Sequence, residues 1–206
     1  MAGPDAWLDP LRLGPVCFDT TVPRHFATAG AGDMLIATFA GRAHWPPAVE
    51  AELRRAAVGG VGTILGGALA TVIALEPGED RLAEDLRLLS LTRAERKTNL
   101  AKNRGEAECV VICERLKMPL VVHDAKGRER ARLRGVPIFT AIDVLYAAVR
   151  SGAVKPAVAW RIYLRICGEP DAMFPVVNMP PDASGHRRFM TQAEPLCSLF
   201  VADRTR

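Results

Sequence analysis

A chain of 206 residues is long enough for one α/β domain with extensions and short for two full domains. With 49% hydrophobic and 24% charged residues it has the composition of a protein that builds a core, which excludes a disordered or low-complexity chain. The formal charge of +4 fits an anionic partner without identifying one.

The five cysteines, Cys17, Cys109, Cys113, Cys167 and Cys197, form no CxxC pair and have no histidine at zinc-ligand spacing. They read as reduced, mostly buried thiols of a cytoplasmic protein, with Cys109 and Cys113 packing as small apolar residues on one helix. Residues 1–15 read as an N-terminal extension without a secretory signal. Residues 56–75 carry no charge over twenty positions, the length of a membrane span, but five of them are glycine and the second half reads as a buried strand, so no membrane segment is expected.

Taken in chain order, Val16-Cys17-Phe18 predicts a buried strand that delivers Asp19-Thr20-Thr21 at its carboxyl end. Short helices are expected over 25–29 and 33–39, and a short strand over 42–45. Pro46-Pro47 opens a helix to about residue 57, because the fixed φ of proline suits the first turn. Glycine-rich apolar structure and a buried strand over 70–75 follow. Leu82, Leu86 and Leu89 then give an amphipathic helix over 79–89 with its charges toward solvent. The second half predicts a helix over 106–116, a strand over 120–123 ending at Asp124, a basic helix over 126–134, a strand over 136–140, and helices over 141–150 and 156–166. This alternation defines an α/β domain over residues 16–167, with a central parallel sheet covered by helices on both faces. Residues 168–206 read as an irregular C-terminal extension.

Four carboxylates stand out. Asp19 and Asp124 sit at strand ends, where a parallel sheet places ligands. Glu106 shares a helix face with Cys109, Val110 and Cys113, and Glu52 shares one with Val49, Leu53 and Ala56. An acid on a buried stripe needs a counter-charge, because an unpaired buried charge costs several kcal/mol. Converging carboxylates suit Mg2+ or Mn2+, hard ions that prefer oxygen ligands and can activate water against a phosphodiester. The bland alternative is that each acid is a helix-terminal or solvated charge. Glu108 lies about 200° around its helix from Glu106, so it reads as an outer contact of the site or as a solvated residue.

Phe18-Asp19-Thr20-Thr21, the run from Pro47 through Val49 to Glu52-Leu53, Gly105-Glu106-Ala107-Glu108 and Val122-His123-Asp124-Ala125 occur here in the order seen in one family. The chain resembles the PIN-domain ribonucleases, particularly the VapC-like bacterial toxins and their relatives. The resemblance implies a PIN-like three-layer sandwich and a Mg2+- or Mn2+-dependent endoribonuclease acting on single-stranded RNA. It assigns Asp19, Glu52, Glu106 and Asp124 as the catalytic and metal-holding acids, and Thr20 as the hydroxyl that orders the site. It also implies a homodimer in the cytoplasm and, for a toxin, a cognate antitoxin protein that enters the catalytic groove. Ala125 stands where many relatives carry a further acid, which leaves the number of metal ions open.

Arg128 and Arg132 share a face of the basic helix beside Asp124 and are candidates to hold RNA phosphates, a solvated helix face being the alternative. Arg93, Arg96, Lys97, Lys102 and Arg104 precede Glu106 and add to the same rim or lie in a surface loop. His123 is expected to point to the opposite side of its strand from Asp124. Trp45, Trp160 and Tyr163 read as core. The glycines at 59, 60, 62, 66 and 67 lack the Lys-Ser or Lys-Thr of a phosphate loop. A rival enzyme reading is a haloacid-dehalogenase-like phosphohydrolase with Asp19 as nucleophile, although Thr21 replaces the second aspartate of that pattern. A third reading is a non-catalytic interaction protein on the PIN fold.

Overall fold

The computed structural model describes residues 8–56, 59–67, 69–89, 91 and 103–168. The basic positions 93, 96, 97 and 102, Cys197 and the C-terminal extension from residue 169 lie outside the described residues. Within them, five strands form one all-parallel sheet: β1 (Val16–Phe18), β2 (Ala43–Trp45), β3 (Ala70–Val72), β4 (Leu120–Val121) and β5 (Ile138–Phe139), in the order β3-β2-β1-β4-β5. Between them run α1 (Asp9–Leu13), α2 (Thr21–Thr28), α3 (Gly32–Phe39), α4 (Pro47–Arg55), α5 (Val61–Gly66), α6 (Glu79–Leu89), α7 (Arg104–Leu116), α8 (Ala125–Leu133), α9 (Ala141–Arg150) and α10 (Pro156–Cys167). The architecture is α/β, with the parallel sheet flanked by helices.

The central strand follows from its residues. Val16, Cys17 and Phe18 are fully buried, as a strand covered on both faces requires. Phe18 meets Phe39 of α3 edge-on, with centroids 5.2 Å apart. Leu120 and Val121 are equally buried beside it. Cys109 and Cys113 of α7 turn their thiols toward the carbonyls of Phe18 and Pro119, so these cysteines pack as small apolar groups with weak donors. Trp45, Trp160 and Tyr163 are buried, the last two stacked at 5.2 Å.

Several expectations need correction. Strand β3 is an exposed edge rather than a buried strand reaching residue 75, with Val72 40% exposed. It stops where its one neighbour does: Ala70, Thr71 and Val72 pair with Ala43, His44 and Trp45, and Ile73 donates the last bond to Trp45. Helix α6 has the expected bounds but buries Ala83, Leu86 and Arg87, leaving Leu89 exposed. Its Arg87 lays an apolar stem in the interface and folds its guanidinium onto Glu84 at 2.6 Å. Helix α1 was not expected; Leu8 and Leu11 enter the core, and Arg42 Nη1 donates to the carbonyls of Leu11 and Gly14.

The glycine-rich stretch serves packing. Gly60 adopts φ +87° at the start of α5, and a Cβ there would lie 2.7 Å from the carbonyl oxygen of Ala27 in α2, an approach only glycine permits. No helix among the described residues is long and apolar enough to cross a membrane.

Candidate active site at the carboxyl edge of the sheet

From β1 the sheet extends through β2 and β3 on one side and through β4 and β5 on the other, so its winding reverses between β1 and β4. Open parallel sheets hold ligands beyond the strand ends at such a reversal. Asp19 follows β1 directly, and its backbone N–H donates to Val121 of β4 at 3.0 Å, which fixes it at the reversal. Asp124 lies just beyond β4, whereas Glu52 is carried by α4 and Glu106 by the first turn of α7. Helix α7 packs against α4, α6, α8, β1 and β4, and Gly105 to Glu108 in its first turns are buried.

The four acids are near enough to act on one another. Burial first, and then the charge of Glu52, pushes the Asp19 carboxyl from 3.8 up to about 6. Glu106 is pushed from 4.5 up to about 9, by burial and then by the charge of Asp19, with Asp124 and Glu52 adding to it. At neutral pH the cluster without a cation therefore retains a proton on Glu106. Asp19 is 4% and Glu106 7% exposed, Glu52 is half-buried and Asp124 is exposed.

Three of the four carboxylates accept a local hydrogen bond. Thr20 Oγ1 donates to Glu52 Oε2, placing the hydroxyl after the first acid against the second. The Thr21 N–H reaches Asp19 Oδ2 at 3.4 Å. Asp124 is the N-cap of α8, its Oδ2 accepting from the Gly127 N–H at 3.0 Å. Two glycines make room for the glutamates. A Cβ on Gly127 would sit 2.0 Å from Glu106 Oε1, and one on Gly105 would sit 3.2 Å from both carboxylate oxygens of Glu52.

Arg130 of α8 brings a guanidinium into this cluster, with Nη2 2.7 Å from Glu106 Oε1 and both side chains almost wholly buried. The contact is close but is not aligned as a hydrogen bond, so Glu106 Oε1 and both Nη atoms of Arg130 remain buried without an aligned partner. Burial and the neighbouring acids outweigh its attraction, and Glu106 stays raised.

The basic helix is less available to a ligand than its sequence indicates. Arg128 is half-buried and donates to the His123 carbonyl, Arg130 is buried, and Arg134 pairs with Glu114 at 2.6 Å, whereas Lys126 and Arg132 are exposed. Glu108 is not solvated: it is 4% exposed and accepts from Arg104 Nε at 2.8 Å. His123 is buried, its ring 5.1 Å from that of His25, and burial lowers its pKa to about 4. The sequence places Arg130 with the other basic residues of its helix as an RNA contact and Gly105 in a motif, but it does not reveal that Arg130 is buried against Glu106 or that Gly105 and Gly127 make room for the glutamates. A glycine inside the pattern of a basic helix, a position that costs stability relative to alanine, was the available signal for Gly127.

A cleft of about 510 Å³ opens beside Glu52 and Glu108, floored by Pro47, Ala48, Ala51 and Leu75 and flanked by Arg55, Asp80 and Arg104. A smaller hollow of about 170 Å³ shares Leu75, Asp80, Arg104 and Glu108 with it and continues to Glu84 and Arg87. Among the described residues, no group of three or more His, Cys, Asp or Glu side chains is already drawn together as a metal-ligand set. The donors are nonetheless all oxygen, and the buried Glu106 Oε1 lacks an aligned donor, a chemistry that suits a hard divalent cation. No family model, curated protein or solved structure matches the chain.

Proposed function

We propose that the protein is a PIN-like, Mg2+- or Mn2+-dependent endoribonuclease that hydrolyses phosphodiester bonds of single-stranded RNA. The observation that carries the reading is that buried Asp19 and Glu106 lie at the winding reversal of a parallel sheet within reach of the charges of Glu52 and Asp124. Carboxylates whose charges add to burial in raising Asp19 and Glu106 at a ligand-binding edge suit a compensating cation.

In this reading Asp19, Glu52, Glu106 and Asp124 hold the ion, and Thr20 fixes the orientation of Glu52. Bound there, Mg2+ or Mn2+ lowers the pKa of water and offsets charge on the phosphate and the leaving oxygen. Arg55 and Arg104 border the cleft beside Glu52 and hold phosphates of the strand, while Ala48, Ala51 and Leu75 supply an apolar floor for bases. Arg132 and Lys126, exposed on α8 beside Asp124, extend the cationic border. Turnover by a cytoplasmic homodimer, with an antitoxin that fills the cleft, completes the proposal by resemblance.

The test is cleavage of mixed single-stranded RNA by purified protein in Mg2+, in Mn2+ and in chelator, beside Asp19→Asn and Glu106→Gln. Metal-dependent cutting that both substitutions abolish is the expected result. Cutting that survives both substitutions rejects the site, and metal binding without cutting of any RNA pool assigns the protein to the non-catalytic reading.

A further inference from the structure

The acidic edge already contains one buried cation. Arg130 reaches it from α8, its side chain 4% exposed and its Nη2 2.7 Å from Glu106 Oε1. Its Nε donates weakly to the Lys126 carbonyl at 3.3 Å, a bond within its own helix that directs the guanidinium along α8 toward its first turn. Neither Nη atom has an aligned acceptor, although both are buried. A guanidinium is never neutralised in a protein, so this is a fixed positive charge and not a titrating one.

Resting on the endoribonuclease reading, we propose that Arg130 is a positioning residue that stands where a second divalent ion would otherwise sit beside Glu106, so that the site binds one divalent ion. Charge balance leads to this. Four carboxylates face Arg130 at Glu106 and Arg128 near Asp124. With all four ionised the two guanidiniums leave two negative charges, which one divalent ion neutralises; without Arg130 three remain, and one divalent ion leaves a negative charge unbalanced beside Glu106. Space leads to it as well. Gly127 touches Glu106 so closely that a single added carbon would lie 2.0 Å from Oε1, and Arg130 closes the adjoining side. Gly127 and Arg130 thereby occupy two sides of the carboxylate, which also feels the charges of Asp19, Asp124 and Glu52.

The experiment counts bound Mn2+ on the full chain by calorimetry and by electron paramagnetic resonance, for the unsubstituted protein, Arg130→Lys and Arg130→Gln. One ion per chain with an uncoupled Mn2+ spectrum is expected for the unsubstituted protein and for Arg130→Lys, which keeps the charge. Arg130→Gln is expected to take up a second ion and to show the broadened spectrum of a coupled pair. Two ions on the unsubstituted protein overturn the role of Arg130 while leaving the metal-dependent reading intact, and so does a single ion on folded Arg130→Gln. No ion on any form overturns both. Should Arg130→Gln fail to fold, Arg130→Met, which keeps the apolar stem and removes the charge, takes its place with the same two outcomes.

Discussion

Gly127 and Glu106 are in such close contact that the carboxylate oxygen of one lies 2.0 Å from where a Cβ of the other would stand. In an ordinary helix, replacing glycine with alanine stabilises by roughly 0.5 to 1 kcal/mol. Gly127→Ala is expected to do the reverse. The methyl group must displace Glu106 or Val122, whose Cγ2 is 2.8 Å from the same point. The substitution leaves every charge in place, yet it is expected to weaken Mn2+ binding at least tenfold. Titration calorimetry checks this, and unchanged binding would show that Glu106 does not hold the ion from its present position.

The Asp124 carboxylate serves α8 as well as the site, and the two roles can be separated. Asparagine caps a helix about as well as aspartate, whereas alanine costs about 1 kcal/mol. Asp124→Asn is therefore expected to melt like the unsubstituted protein but to bind Mn2+ poorly, and Asp124→Ala to lose both stability and binding. If Asp124→Asn binds the ion normally, capping is the only role of this residue.

Without a divalent ion, stability is expected to fall as pH rises. The folded form keeps protons on Asp19 and Glu106 up to about 6 and about 9, while the unfolded chain releases them near 3.8 and 4.5. Their contribution is fully present below the unfolded values and is lost as pH rises through the folded ones. His123 acts in the opposite sense: burial lowers it from 6.5 to about 4, so its contribution is lost as pH falls through that interval. The two carboxyls outweigh the one histidine, so melting temperatures in chelator should fall from acid pH up to about 9, less steeply between about 4 and 6.5 where His123 opposes them. Glu106→Gln should flatten the alkaline side and raise the melting temperature there by several degrees, each pKa unit being worth about 1.4 kcal/mol. A slope as steep as that of the unsubstituted protein would mean that Glu106 is ionised without metal.

Lys117 ends α7 with φ +54°, a left-handed conformation that a lysine adopts at a cost. Lys117→Gly is expected to stabilise the fold by roughly 1 kcal/mol, since glycine takes this conformation freely. Chemical denaturation gives the sign directly, and RNA cleavage should be unaffected because the residue lies at the far end of α7 from Glu106.

Arg55 borders the cleft from an exposed position on α4. Arg55→Ala is expected to weaken RNA binding several-fold, to lower the salt dependence of binding by about one phosphate contact, and to leave the melting temperature unchanged. An identical salt slope would place the strand elsewhere.

The sequence made parts of this arrangement legible and concealed others for identifiable reasons. The bounds of α6 and α9 match those read from the sequence, and in the structure Thr140 and Asp143 close the start of α9 with a capping box. Asp19 and Asp124 were visible because an apolar strand run ends just before each. The burial of Glu106 was visible because it shares a helix face with cysteines and valine. By contrast, the exposure of β3 depends on a missing neighbour, which no local pattern records. Arg130 looks like one of five basic residues on a solvated helix, and only the packing of α7 against α8 turns it inward. Arg128 carries the same local signal and is turned to the carbonyl of His123 instead.

The order of the strands also sets the order in which the acidic edge comes into being. Asp19 and Glu52 are synthesised early, but the position beside β1 that completes the edge is filled by β4, which pairs Leu120 with Cys17 and Val121 with Phe18. A nascent chain that ends before residue 104 carries two of the four acids next to a bare strand. The remaining two arrive only when α7 and β4 have been made and have folded back across more than a hundred residues of chain, the slow kind of non-local pairing. The acidic edge is thereby a late product of synthesis, absent from the first half of the chain however well that half folds.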